Sequence, residues 1–136
     1  MTEVEKSYIA GIIDGEGSIM LQKFHNNQFP APYVSIASTT LELLEWIQVA
    51  VGKGSIKATK NYNVDRHKNS YTYFLKYDAA IELLKSVYPY LVIYSKKKRA
   101  NLIITRYKDV TPRNGRYSED LLKKKNDFYK EFMSIK

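Results

Sequence analysis

The sequence lacks several features by which proteins are commonly classified. It has no cysteine, which excludes disulfide bonds and thiolate metal sites and leaves the redox compartment open. Its two histidines, His25 and His67, lack the spacing of a metal-ligand pair. No apolar run approaches the roughly 20 residues that a membrane-spanning helix needs, and no signal peptide is recognisable. We therefore expect no membrane partner and an intracellular protein, organellar or in a prokaryotic cytoplasm, although the compartment itself is unknown.

The composition is basic and rich in tyrosine. Lys and Arg number 22 against 14 Asp and Glu, which gives a net charge of +8 and a pI near 9.5. Such a balance favours a polyanionic partner, either nucleic acid or an anionic membrane surface. The 12 tyrosines suit nucleic acid, but tyrosine is also common in strands of any function. A length of 136 residues is enough for a single domain with a core and too short for two.

The most informative segment runs from Tyr8 to Ile19 and reads YIAGIIDGEGSI. A helix over residues 3–15 is predicted, because Thr2 and Glu5 have the spacing of a capping box and apolar residues follow at helical intervals. Glu16 falls at or just past the carboxyl end of this helix, where the macrodipole and the unpaired carbonyls repel a carboxylate. A bound divalent cation would stabilise an acid there, so the pattern predicts a metal site built from oxygen atoms.

Two glycines give the same helix a bare surface. Gly11 and Gly15 are four residues apart and therefore share one face. Glycine inside a helix costs about 1 kcal/mol relative to alanine. Two glycines on one face indicate that another backbone packs very close to the helix there.

After this helix, a strand–strand–helix unit occurs twice and predicts an α+β fold. The predicted strands cover residues 18–25, 33–37, 55–60 and 71–77, separated by turn-rich or polar segments such as 61–69. One predicted helix is capped by Thr39 or Thr40, and the next is capped by Asp78 and stops near Pro89. Further helices are predicted over residues 95–107 and 118–133. The order is αββαββα plus C-terminal helices, with a curved four-stranded antiparallel sheet that has helices on one face.

The opposite face of this sheet is predicted to be open. Strand alternation assigns to it a mostly polar or basic set of residues. These are Ser18, Met20, Gln22, Tyr33, Ser35, Lys57, Thr59 and Thr72. A polar open face is also typical of any solvated antiparallel sheet. A curved sheet of this kind can alternatively lie in the DNA major groove, where base edges are distinguishable, and there Gln22 can bond an adenine edge and Lys57 can reach guanine acceptors.

The segment Ile9–Gly17 resembles the nine-residue motif of the LAGLIDADG homing endonucleases. It matches at every position by identity or close replacement except Gly15, where the motif has alanine. The following Ser18 and Ile19 are similar to the family's usual start of its first DNA-contacting strand. The order of elements extends the resemblance over most of the chain.

The resemblance implies a metal site at the end of the motif helix. Glu16 would bind the catalytic cation together with the carbonyl of Gly15. Since all the ligands are oxygen atoms, the expected ion is Mg²⁺, with Mn²⁺ or Ca²⁺ able to substitute in binding. By the same resemblance Asp14 braces the motif helix and does not bind metal directly.

Two further catalytic residues follow from the resemblance. A basic run, KKKR at residues 96–99, follows a proline-containing segment, as it does in the family. Lys98 corresponds to the active-site lysine, with Lys96 as the alternative and as a DNA contact. Ser38 stands where the family has a polar residue, often Gln, that organises water.

A single copy of the motif implies a homodimer. The two motif helices would cross at the two-fold axis through Gly11, Ile12 and Gly15, which places both Glu16 side chains next to each other. Adjacent carboxylates repel unless a cation neutralises them, so the dimer and the metal site are coupled. A two-fold protein should read a long, pseudo-palindromic duplex.

The implied function is site-specific but sequence-tolerant cleavage of double-stranded DNA in intron homing. The enzyme would be a Mg²⁺-dependent endodeoxyribonuclease that hydrolyses phosphodiester bonds and leaves 3′ overhangs. Two alternatives use the same fold, an RNA-binding intron maturase and a catalytically inactive DNA-binding regulator, and the acid at Glu16 argues against both. The sequence does not reveal the target site, or whether the gene lies in an intron, in an intein or on its own.

Overall fold

The computed structural model describes residues 1–59 and 69–136, and these form five α-helices and four strands. The helices are α1 Glu3–Glu16, α2 Leu41–Val51, α3 Tyr77–Val87, α4 Tyr94–Arg106 and α5 Glu119–Met133. The strands are β1 Gly17–Gln22, β2 Ala31–Ser38, β3 Ser55–Thr59 and β4 Ser70–Lys76. Short 3-10 turns occupy Tyr88–Tyr90 and Lys108–Val110. The predicted α+β class and the order αββαββα are confirmed.

The strands form one antiparallel sheet in the order β1-β2-β4-β3. Ser18 pairs with Ser35 and Ser35 pairs with Phe74, while Lys57 pairs with Thr72. Paired residues lie on the same side of a sheet. Once one residue is assigned to a face, this register therefore assigns the residues of all four strands to their faces.

The core lies between one face of the sheet and the helices. The strands contribute to it a row of side chains that are at most 2% exposed, namely Ile19, Val34, Ile36, Tyr73 and Leu75. Helices α1 and α3 contact β2, α2 contacts β4, and α4 contacts β1. The helices pack on one face of the sheet, as predicted, and leave the other face open.

The motif helix begins and ends where its chemistry predicts. The Thr2 hydroxyl accepts a hydrogen bond from the Glu5 amide, and the Glu5 carboxylate accepts one from the Thr2 amide, which completes the capping box. The last helical residue is Glu16, and Gly17 already has extended backbone and opens β1. A Cβ on Gly17 would lie 2.8 Å from the Cα of Ile13, so the abrupt change from helix to strand requires glycine.

Several predicted boundaries differ from the structure. β1 ends at Gln22 and not at residue 25, and β2 begins two residues early, at Ala31. Pro32 is tolerated in β2 because pairing with β4 begins only at Tyr33, so no β4 carbonyl awaits its missing amide hydrogen. The cap of α3 is Lys76 and not Asp78, which lies in the first turn and pairs with Lys108 at 3.3 Å. Thr40 occupies the cap position of α2 without a side-chain hydrogen bond.

Within the described ranges, no helix combines the length and apolarity that crossing a bilayer would require. The predicted end of the third strand at Lys60 and most of the predicted loop 61–69 lie outside the described residues.

Candidate functional site

Asp14 joins the end of α1 to the start of α4. Its carboxylate accepts backbone hydrogen bonds from the amides of Val92 (2.8 Å) and Ile93 (3.2 Å). These amides lie at the amino end of α4, where donors lack helical partners and the dipole favours negative charge. Asp14 therefore braces the motif helix, and it does so across 78 residues of sequence.

Lys96 makes the reverse contact, from α4 to α1. Its ammonium donates to the carbonyl oxygens of Ile13 (2.8 Å), Asp14 (3.4 Å) and Gly17. The Ile13 carbonyl also accepts the amide of Gly17, whereas the Asp14 carbonyl is among the last of the helix, which lack helical partners. A cation at this end opposes the negative end of the dipole. Burial lowers the pKa of Lys96, and the nearby carboxylates of Asp14 and Glu16 oppose that shift. We call the contacts of Asp14 and Lys96 the α1–α4 clamp.

Lys98 lies beside Tyr94 on α4. Side chains two residues apart on a helix point roughly 200° apart, so Lys96 and Lys98 project from different sides of α4. The Nζ atom of Lys98 lies 5.2 Å from the ring centroid of Tyr94, which is itself 72% exposed. The structure thus brings the alternative residue, Lys96, to the end of the motif helix and places Lys98 beside Tyr94. The catalytic role of Lys98 stays a prediction.

Glu16 has an exposed side chain at the end of α1. It lines a shallow depression together with Ile12 and Ser38. The Ser38 hydroxyl accepts a hydrogen bond from the Thr40 amide at 3.0 Å, which fixes it at the end of β2. The predicted site residues Glu16, Gly15 and Ser38 therefore lie in one region, although the described ranges contain no cluster of three acidic or histidine ligands within this chain.

One face of α1 is uncovered. A Cβ added to Gly11 or to Gly15 would meet no heavy atom within 4 Å. Val4 and Tyr8 continue this face and are 79% and 54% exposed. The Tyr8 ring meets Trp46 of α2 edge to face, with centroids 5.1 Å apart. The surface therefore combines bare backbone with apolar side chains, and the glycines have no close partner within the described chain.

The open face of the sheet carries every residue that alternation assigned to it. The register places these side by side across the four strands: Ser18, Met20, Gln22, Tyr33, Ser35, Thr72, Lys57 and Thr59. Tyr33 has the predicted face but not the expected accessibility, since it is 8% exposed. Its ring packs 5.7 Å from that of Phe24 and 6.1 Å from that of Phe74, which cover it.

Solved structures of homing endonucleases resemble this chain over nearly its whole length. I-CvuI in complex with its target in the presence of Ca superposes with a TM-score of 0.71 at 16% identity, covering 98% of this chain and 83% of that chain. An archaeal intron-encoded homing endonuclease, I-Vdi141I, complexed with DNA gives 0.70 at 19% identity over 98% and 85%. The chain has the LAGLIDADG homing endonuclease fold. No family model and no curated protein matches the sequence.

Chain length distinguishes two groups among homing endonucleases of this fold. Whereas I-CvuI and I-Vdi141I are covered over more than four fifths of their chains, the LAGLIDADG meganuclease I-CpaMI bound to uncleaved DNA is covered over 42%, with a TM-score of 0.64 at 19% identity. The present chain therefore corresponds in size to the shorter of these homing endonucleases.

Within the homing endonuclease fold, the open face also carries a basic and aromatic cluster that the sequence reasoning missed. The Nζ atom of Lys76 lies 4.4 Å from the ring centroid of Phe24 and 5.5 Å from that of Phe74. Alternation along β4 would have found Lys76 and Phe74, since both lie an even number of residues from Thr72. Phe24 follows the end of β1, and no periodicity predicts its position.

Arg99 joins α4 to β1, which is an edge strand of the sheet. Its guanidinium donates to the Ile19 carbonyl (3.1 Å), to the Met20 sulfur (3.4 Å) and to the Ile135 carbonyl (2.7 Å). β1 is an edge strand, and a cation bound to the Ile19 carbonyl hinders pairing of that strand with another chain. The basic run 96–99 therefore provides two structural contacts, through Lys96 and Arg99.

Proposed function

We propose that this protein is a homing endonuclease that cuts double-stranded DNA at a specific site by metal-assisted hydrolysis of phosphodiester bonds. The observation that carries the proposal is the end of α1, where the exposed Glu16 is flanked along the chain by Asp14 and Gly17, whose carbonyls bind the Lys96 ammonium. An acid that holds a divalent cation, close to a cation that stabilises phosphate charge, is suited to this hydrolysis. Both groups lie where β1 begins, at the margin of the open sheet face.

Duplex binding is supported by the chemistry of that face. Gln22, Lys57 and Lys76 are exposed on it, and the whole chain carries a net charge of +8. I-CvuI and I-Vdi141I are both described in complex with DNA. We place the sheet in the major groove, where Gln22 reads adenine and Lys57 reads guanine. The other proposed contacts are Ser18, Met20, Ser35, Thr59 and Thr72, while Tyr33 supports the surface from beneath Phe24.

A homodimer is supported by the uncovered face of α1. The space beside Gly11 and Gly15 admits another backbone at close range, and Ile12 lies between them. A further exposed apolar segment, Val92 to Tyr94, is held against the end of α1 by Asp14. We propose that α1 crosses a second copy of itself here, which gives a long pseudo-palindromic site and 3′ overhangs after two symmetric cuts.

Gly11→Leu tests this interface. In the single chain a Cβ at Gly11 meets no heavy atom within 4 Å, and replacing glycine in a helix interior stabilises the helix by about 1 kcal/mol. A close helix crossing cannot accommodate it, so we expect a dimer dissociation constant raised at least about 100-fold, by loss of roughly 3 kcal/mol of packing. Sedimentation velocity over a concentration series measures this. Asn126→Leu, on the exposed face of α5, is the control, and a Gly11→Leu protein that dimerises normally would refute the crossing.

The residues at the end of α1 fit one half of a divalent metal site. The Gly15 carbonyl is among the last carbonyls of the helix, which lack helical partners, and Glu16 supplies a carboxylate. One chain brings too few ligands together, and the two-fold axis would supply the other half. All-oxygen donors favour Mg²⁺, with Mn²⁺ or Ca²⁺ as substitutes, and I-CvuI structures are described with Ca and with Mg. When bound, the cation would polarise the phosphate and acidify a water.

The remaining catalytic roles are assigned to side chains around Glu16. We propose that Lys96, in place of Lys98, stabilises the charge of the scissile phosphate through space, while its three protons bind the carbonyls of Ile13, Asp14 and Gly17. Ser38 shares the depression with Glu16, and its hydroxyl can hold a water in hydrogen-bond reach. Both residues are fixed by backbone contacts, which favours a preorganised site.

The direct test is incubation of the protein with the uninterrupted version of its own insertion locus. We expect a double-strand break in Mg²⁺ and none in EDTA. Binding to the duplex without cleavage in Mg²⁺ or Mn²⁺ would instead indicate the inactive regulator. Failure to bind any duplex from the locus, with tight binding to structured RNA, would indicate the maturase.

A further inference from the structure

Lys125 is a buried cation in an aromatic cage. It is 4% exposed, and among the described residues it is the only buried charged side chain. Its Nζ atom lies 4.4 Å from the ring centroid of Tyr107, 5.6 Å from that of Phe29 and 6.0 Å from that of Tyr117. It also donates to the Thr111 hydroxyl at 2.5 Å. We call these four partners of Lys125 the cage.

The ammonium is held by π faces and one hydroxyl in place of a carboxylate. Burial lowers the pKa of Lys125 to about 8, and no carboxylate opposes that shift. The negative faces of aromatic rings attract a desolvated cation, and the Thr111 hydroxyl donates a hydrogen bond to the Tyr107 carbonyl at 2.7 Å. Burying a charge without a carboxylate partner costs free energy of folding. Contacts that this charge makes between separate segments can offset that cost.

The cage joins the C-terminal part of the chain to a loop that is far away in sequence. Lys125 belongs to α5, while Tyr107, Thr111 and Tyr117 lie in and around the connection between α4 and α5. Phe29 belongs to the loop between β1 and β2, residues 23–30, and packs on Tyr117 with ring centroids 5.0 Å apart. Beside this contact, a cleft separates the loop from α5 and is lined by Lys23, Pro30, Asn126 and Tyr129. The cage is therefore an anchor point of the loop on the C-terminal part of the chain.

The loop lies at the end of the sheet remote from Glu16. Five residue steps along β1 separate Gly17 from Gln22, or about 17 Å at strand rise. At about 3.4 Å per base pair, the loop is displaced by roughly five base pairs along a groove that the strands follow. A change in the cage should therefore affect outer base pairs and leave the cleavage chemistry unchanged.

We propose that Lys125 is a positioning residue for base recognition, which holds the 23–30 loop through Phe29 and so sets the preference for the outer base pairs of each half-site. This inference rests on the proposed DNA binding. Lys125 itself is buried and contacts no base. Its effect passes through the aromatic cage to Asn26, Asn27 and Gln28, which are exposed at the loop tip.

The test compares Lys125→Met with Lys123→Met. Methionine keeps the length of the buried side chain and removes its charge, and Lys123 is an exposed residue of the same helix that loses the same charge. In Lys125→Met we expect amide hydrogen exchange in residues 23–30 to accelerate at least tenfold. In cleavage of a library of half-site sequences, the preference for one base over the others about five base pairs from the centre should fall by roughly tenfold. The base preference at positions nearer the centre and the maximal cleavage rate should be unchanged.

The outcomes separate this inference from the function on which it rests. Unchanged loop exchange in Lys125→Met, or relaxation spread evenly over the half-site, would overturn it. If Lys125→Met does not fold, Phe29→Leu decides, because Phe29 is 40% exposed and its truncation should produce the same loop exchange and outer relaxation. If the wild-type protein binds no duplex, the proposed function fails and the exchange measurement alone decides whether Lys125 anchors the loop.

Discussion

Glu16→Gln is expected to abolish metal-dependent cleavage while leaving a folded protein that still binds duplex DNA. The amide keeps the size of the side chain and loses the charge that would hold the cation. Loss of about 4 kcal/mol of transition-state stabilisation lowers the rate roughly a thousandfold. Folding should not suffer, because a carboxylate at the carboxyl end of a helix opposes the dipole. Single-turnover cleavage in Mg²⁺ and duplex binding in Ca²⁺ measure the two properties separately.

The matched control for this change is Glu45→Gln. Glu45 is an exposed acid on α2 and lies outside the depression that contains Glu16 and Ser38. It should retain wild-type cleavage. Undiminished metal-dependent cleavage by Glu16→Gln would remove the metal role of Glu16 and with it the proposed mechanism.

Much of the fold could be predicted because its signals are local. Alternation along each strand assigned faces to residues such as Gln22 and Lys57, and the observed pairing agrees with every one of them. The end of the motif helix was predictable too, since Gly17 permits an abrupt change from helix to strand. These features need only the residue and its near neighbours in sequence.

The details that could not be predicted depend on contacts between distant segments. Tyr33 has the right face, but Phe24 and Phe74 cover it, and Phe24 lies beyond the strand whose periodicity could have placed it. In the same way, the sequence of four consecutive cations at 96–99 does not indicate which of them contacts the end of α1. That contact depends on where α4 begins, and Asp14 binds the start of α4 from 78 residues away.

Lys96→Met is expected to reduce cleavage by roughly 100-fold or more, the scale of losing one preorganised electrostatic group. Lys98→Met is expected to stay within about threefold, because a residue that supplies only phosphate attachment chiefly changes the salt dependence of binding. The two variants remove the same charge two residues apart on one helix, so they are matched controls for each other. Single-turnover rates at saturating protein separate chemistry from binding.

Lys96 also holds the α1–α4 clamp, and a loss of activity in Lys96→Met could therefore arise from a displaced motif helix. Lys96→Arg distinguishes the two roles, because arginine can still donate to the carbonyls of Ile13 and Gly17 and stays charged at high pH. Since burial lowers the pKa of Lys96, the wild-type rate should fall at alkaline pH as the ammonium deprotonates, at a lower pH than an exposed lysine would give. That decline should be absent in Lys96→Arg. A large loss in Lys98→Met with a small one in Lys96→Met would return the catalytic assignment to Lys98.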